Sequence, residues 1–107
     1  MKVKDLLNHG FELVCGDETR NISGCYIGDL LSLAMSRVLK DNVWITIQSN
    51  INIVAVASLA DAGCIVICDG FSLDSGVCER AKLQDVTILK TELSAYETAK
   101  ILAENNI

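Results

Sequence analysis

The sequence predicts an α/β domain of three layers, with a mainly parallel sheet of about five strands. Three observations carry that prediction. First, short continuous apolar runs recur: VWITI from Val43, CIVIC from Cys64 and VTIL from Val86, at offsets of 21 and 22 residues. Each is rich in β-branched residues and bounded by polar or Gly positions, the pattern of a strand buried on both faces. Second, each run is followed by a helix-length segment, and parallel strands need a crossover of a dozen or more residues, usually a helix. Residues 43–107 therefore read as three consecutive β-α units, with right-handed crossovers expected. Third, 107 residues fit one domain, so 1–107 is read as a single unit.

The elements follow in chain order. Lys4–His9 reads as a short helix ending at Gly10, and FELVC at 11–15 as a strand. GDETRN at 16–21 is a polar turn. ISGCYIG at 22–28 is a short strand or loop opening a helix, DLLSLAMSRVLK, with Leu30, Leu31, Ala34, Met35 and Val38 on one face. Asp41-Asn42 turns into VWITI. Asn50 is placed to cap a helix over 51–62, its side-chain carbonyl accepting an orphan N–H. Gly63 is expected to end that helix in the left-handed conformation. Asp74 or Ser75 can start the next helix. Ser94 and Glu97 fit the S-x-x-E capping box of a last helix over 94–105.

Composition narrows the function classes. Half the residues are hydrophobic and 21% are charged, an ordinary globular balance. Only five residues are aromatic, so Leu, Ile, Val and Ala must build the core. A net charge of −5 lacks the basic footprint of a nucleic-acid binder and suits an anionic membrane surface poorly. No apolar run approaches the ~20 residues of a membrane span. The start, MKVKDLLNHG, has no signal-peptide h-region, which makes the cytoplasm the expected compartment.

No catalytic residue, cofactor or metal is expected. The P-loop pattern and GxGxxG are both absent. So is G-x-S-x-G, and the only histidine, His9, lies in the first helix. The cysteines Cys15, Cys25, Cys64, Cys68 and Cys78 are odd in number and fit neither a zinc knuckle nor a disulfide framework. Cys64 and Cys68 would share one strand face ~13 Å apart at ~3.3 Å per residue, too far for a disulfide within a straight strand. They read as small buried hydrophobes.

Polar residues gather at the strand-helix junctions. In parallel α/β sheets, ligands bind outside the carboxyl ends of the strands. Ser49, Asn50 and Asn52 follow VWITI, and the 20–29 loop offers Arg20, Ser23, Gly24 and Gly28 beside a helix start. Helix N-termini favour anions. These seven residues are the candidate site for a small anionic metabolite or nucleotide; the other reading makes them caps and turns. Two helices are also more apolar than one-sided packing needs, which points to Leu33, Ala55 and Leu59 as a homodimer interface. The other reading buries them within a three-layer monomer.

The segments ISGCYIGDLLSLAMSRVL, VWITIQSNINIVAVASLADAGCIVICDG and VTILKTELSAYETAKIL make the chain resemble the DRTGG domain family. The most specific parts are GDLLS at 28–32, N-I-N-x-V-A-V-A-S at 50–58 and T-x-L-S-A-Y-E at 91–97. The resemblance covers residues from about 11 onward. It implies an α/β fold like the N-terminal domain of HPr kinase. It also implies an accessory, regulatory or oligomerising role, as in CBS-domain pyrophosphatases and some phosphate acetyltransferases, with the chemistry left to a partner enzyme or another domain. The family's T-G-G falls on Ser23, Gly24 and Cys25, and Arg20 matches its Arg; Asp17 matches its Asp with a shifted spacing. Cys25 puts a side chain where glycine would admit a ligand to the backbone.

Overall fold

The computed structural model describes residues 1–107. A 3-10 helix, Val3–His9, ends at Gly10 in the left-handed conformation. Five strands follow: β1 (Glu12–Cys15), β2 (Cys25–Ile27), β3 (Val43–Thr46), β4 (Cys64–Ile67) and β5 (Ile88–Lys90). Four helices alternate with them: α1 (Leu31–Arg37), α2 (Asn52–Ala60), α3 (Val77–Leu83) and α4 (Ala95–Glu104). The sheet order is β1-β5-β4-β3-β2. Strands β2 to β5 are parallel, and β1 pairs antiparallel with β5. The expected mainly parallel five-stranded sheet is therefore the one observed.

Side-chain alternation makes the three layers. Trp44, Ile65, Ile67 and Ile88 point to the face that packs Ala34 of α1, Ile53 and Val56 of α2 and Ala81 of α3. Val43, Ile45, Val66 and Leu89 point to the other face, which packs Leu6 and Phe11 near the amino terminus and Leu102 of α4. The expected capping box is present. Glu97 N–H donates to Ser94 Oγ and Ser94 N–H donates to Glu97 Oε1, each at 3.1 Å.

Three helix boundaries differ from the sequence expectation. Asp61, with φ 54°, ends α2 in the left-handed conformation, not Gly63. Gly63 is required for another reason: a Cβ there would lie 2.6 Å from the Asp41 carbonyl oxygen and 2.8 Å from Ile22 Cγ2. Helix α1 is shorter than 29–40. Val38 is extended, and Asn42 Oδ1 takes the Leu39 N–H that another turn would need. Helix α3 starts at Val77 because left-handed Gly76 precedes it and Asp74 is engaged with Ser49.

Candidate functional site

The seven candidate residues do not share one rim. Strand β2 runs between them. It spans three residues at ~3.3 Å each, and Ser23 and Gly24 enter it while Gly28 leaves it. Gly28, Ser49, Asn50 and Asn52 lie at the carboxyl end of the parallel strands. Arg20, Ser23 and Gly24 lie at the amino end, so the expected convergence is corrected to two separate clusters.

At the carboxyl end the pivot is Asp29, a residue not singled out from the sequence. Its Oδ1 accepts from Thr46 Oγ1 at 2.8 Å and from the Ile47 N–H at 2.9 Å, which pins the end of β3 to the start of the α1 segment. Gln48 Nε2 donates to the Asp29 carbonyl at 2.9 Å, and Trp44 Nε1 donates to the Gly28 carbonyl at 3.0 Å. Asn50 Nδ2 donates to Gln48 Oε1, and Asn50 Oδ1 accepts from the Asn52 N–H, both at 2.9 Å. Asn50 thus does the capping work assigned to it. Ser49 Oγ donates to Asp74 Oδ1 at 3.1 Å while the Asp74 N–H donates to the Ser49 carbonyl at 3.0 Å. These groups spend much of their hydrogen-bonding capacity on one another.

The amino end is ionic. Arg20 Nη2 donates to Asp41 Oδ1 at 3.0 Å, to Asp61 Oδ1 at 2.9 Å and to the Asp61 carbonyl at 2.9 Å. Partial burial works against the charged guanidinium. The hydrogen bonds to Asp41 and Asp61 overcome it and raise the Arg20 pKa further. Ser23 N–H donates to the Asp41 carbonyl at 2.8 Å, and Asn42 Nδ2 donates to the Ser23 carbonyl at 3.0 Å. A Cβ at Gly24 would stand 2.7 Å from Asn42 Nδ2. Here Gly24 makes room for Asn42. Sequence adjacency to a helix start suggested an anion site; strand direction sends these residues to the other end.

Two shallow cavities open beside this clamp, of about 380 and 250 Å³. Both include Arg20 and Asp85; Lys82 and Asp17 join the first and Asp61 the second, so charges of both signs line them. A third cavity, of about 190 Å³, lies between α2 and α3, lined by Ile51, Asn52, Ala55, Arg80 and Gln84. It holds Asn52 of the candidate set together with a cationic side chain.

Leu33, Ala55 and Leu59, expected at an interface, are all exposed, Leu59 at 77%. Ile51, Ala55 and Leu59 stand at i, i+4 and i+8 on one face of α2. Leu30, Met35 and Leu39 are exposed in and beside α1, which packs next to α2. No group of three or more His, Cys, Asp and Glu side chains is arranged to hold a metal ion. Burial pushes the Cys64 thiol up to about 12 and, with Asp69 beside it, the Cys68 thiol to about 11, so both stay protonated and unreactive. No helix is long and apolar enough to cross a membrane.

The fold and its two clusters define a three-layer α/β module without a recognisable catalytic constellation. The DRTGG domain profile matches residues 8–105, and the chain belongs to the DRTGG domain family. No curated protein matches its sequence significantly. Among solved structures it is similar to the CBS and DRTGG domains of the regulatory region of Clostridium perfringens pyrophosphatase, complexed with the activator diadenosine tetraphosphate. The TM-score is 0.66 at 13% identity, over 94% of this chain and 44% of that one. This chain thus spans less than half of that solved regulatory region. The likeness carries the fold, and the DRTGG domain there is part of a regulatory region.

Proposed function

We propose that this chain is a non-catalytic regulatory module that acts as a homodimer assembled through the exposed apolar face of α1 and α2. The observation that supports this reading is that Ile51, Ala55 and Leu59 at α2, and Leu30 and Leu33 at the neighbouring α1, are left exposed on a folded domain. Exposed large apolar side chains gathered on two neighbouring helices point to an interaction surface. The partner enzyme it regulates would supply the chemistry. Light scattering at micromolar concentration tests the dimer: a particle of twice the chain's 11.6 kDa is expected. Leu59→Glu should halve that mass without changing the circular dichroism spectrum, since Leu59 has little packing to lose. A wild-type monomer at that concentration overturns the reading.

A second reading is favoured by Arg80 and Asn52 in the α2–α3 cavity. A small anionic metabolite or nucleotide would place its charge against Arg80 and the positive end of the α2 helix dipole. Support also comes from the nucleotide activator held by the pyrophosphatase regulatory region. A thermal-shift series with nucleotides and phosphorylated metabolites tests it, because a ligand that binds only the folded chain raises the midpoint. Arg80→Glu should abolish any shift. No shift at millimolar ligand removes this reading and leaves the assembly role standing.

A further inference from the structure

Cys15 closes strand β1 and faces the layer in which α3 packs, within the same apolar cluster as Val77 and Ala81. Cys78, the second residue of α3, packs against that cluster, and its Sγ lies 3.7 Å from the carbonyl oxygen of Val14, the residue before Cys15. The two thiols therefore meet where an edge strand and a helix touch, 63 residues apart in sequence. Their access differs: Cys15 is buried and Cys78 is half-buried. Burial and then the neighbouring Cys78 thiol push the Cys15 thiol up to about 12. Cys15 is thus inert toward a free oxidant and acts only on a sulfur brought against it.

We propose that Cys15 and Cys78 form a dithiol site that a small-molecule disulfide oxidises to an intrachain bridge between β1 and α3. The Cys78 thiolate attacks one sulfur of the small disulfide and expels its partner as a thiolate, leaving a mixed disulfide on Cys78. Cys15 then gives up its proton and attacks the Cys78 sulfur, which releases the second small thiol. Two protein thiols are oxidised, two small thiols are formed, and the two protons end on the leaving sulfurs. The Cys78 sulfur already lies against the β1 backbone beside Cys15, which places the two thiols side by side. The bridge would fasten β1, whose pairing with β5 is broken by an irregularity between Leu13 and Cys15.

The test uses the full chain with Cys25→Ser, because Cys25 is exposed at the opposite edge of the sheet and would otherwise couple two copies. After treatment with oxidised glutathione, alkylation in denaturant should label two of the four remaining thiols. Proteolysis should yield one peptide pair joined through Cys15 and Cys78. The denaturation midpoint should rise on oxidation and return with reductant. The same chain with Cys78→Ser should label all three of its thiols and show no such rise. Four labelled thiols after oxidation, a lasting glutathione adduct on Cys78, or a bridge involving Cys64 or Cys68 would overturn the proposal.

Discussion

The two ends of the parallel sheet are held by different physics. At the carboxyl end, Asp29, Gln48 and Asn50 form a chain of short hydrogen bonds, partly to the backbone. At the amino end, Arg20 gathers two carboxylates that sit on left-handed turn residues, Asp41 and Asp61. Aspartate tolerates the left-handed region better than most residues do, so the same two residues make the turns and supply the charges. The first end depends on local geometry and responds little to salt. The second depends on charge and is screened by it. The comparison shows how the polar groups of each end are committed. Neither end leaves a free cationic cluster, and most of the exposed large apolar side chains lie on or beside the helices.

The largest expected effect comes from removing space at the amino end. Gly63→Ala forces a Cβ to within 2.6 Å of the Asp41 carbonyl, a backbone atom held by the Ser23 N–H. Relief must move the turn that carries half of the clamp. A loss of about 3 kcal/mol is expected in urea denaturation. A neutral result would mean that the amino end yields easily and the clamp is not rigid. At the carboxyl end, Asp29→Ala leaves the buried Thr46 hydroxyl and the Ile47 N–H without their acceptor. It should cost about 2 kcal/mol. Asp29→Asn keeps one acceptor oxygen and should recover part of that loss, with little change between low and high salt.

Arg20→Gln is the matching change at the amino end. The guanidinium is about a quarter exposed and Asp61 about half exposed, so solvent screens the pairs. The cost should be about 1 kcal/mol at low salt and smaller near 1 M salt, where the Debye length falls to about 3 Å. If Arg20→Gln and Asp29→Ala show the same salt dependence, the contrast between the two ends fails.

The sequence carries the repeat and hides the geometry. CIVIC and VWITI announce strands buried on both faces, and Ser94 with Glu97 marks a helix start, because continuous apolar runs and caps are local signals. Strand order and the antiparallel β1 depend on contacts between distant segments, such as Glu12 opposite Lys90, which no local pattern encodes. The misplacement of Arg20 has a narrower cause. Cys25-Tyr26-Ile27 is too short to read as a strand with certainty, so 20–28 looks like one loop although it crosses the whole sheet. Gly63 shows the same limit: its position after an apolar helix suggests a cap, while its actual reason is a backbone from another element 2.6 Å away. Asp29 is hidden because the sequence places it as the first residue of a helix, whereas its side chain turns to the end of β3.

The smallest effect separates the two forces within the amino end itself. The Asp17 carboxylate accepts from Thr19 Oγ1 at 2.6 Å and from the Thr19 N–H at 2.8 Å. The Thr19 hydroxyl first, then its N–H, hold the Asp17 carboxyl below its ordinary value of 3.8, with Lys2 and Arg20 contributing less. A folded-state value below the unfolded one means that the stabilisation is present above about pH 4 and is lost as pH falls through the folded value. Thr19→Val deletes the hydroxyl donor and should raise the Asp17 titration midpoint, followed through its carboxyl carbon by NMR, making stability less sensitive to acid. Arg20→Gln should leave that midpoint almost in place, because the guanidinium acts on Asp17 only through space. An equal rise in both variants would make the clamp, and not the turn, the source of the shift, and the amino end would be ionic throughout.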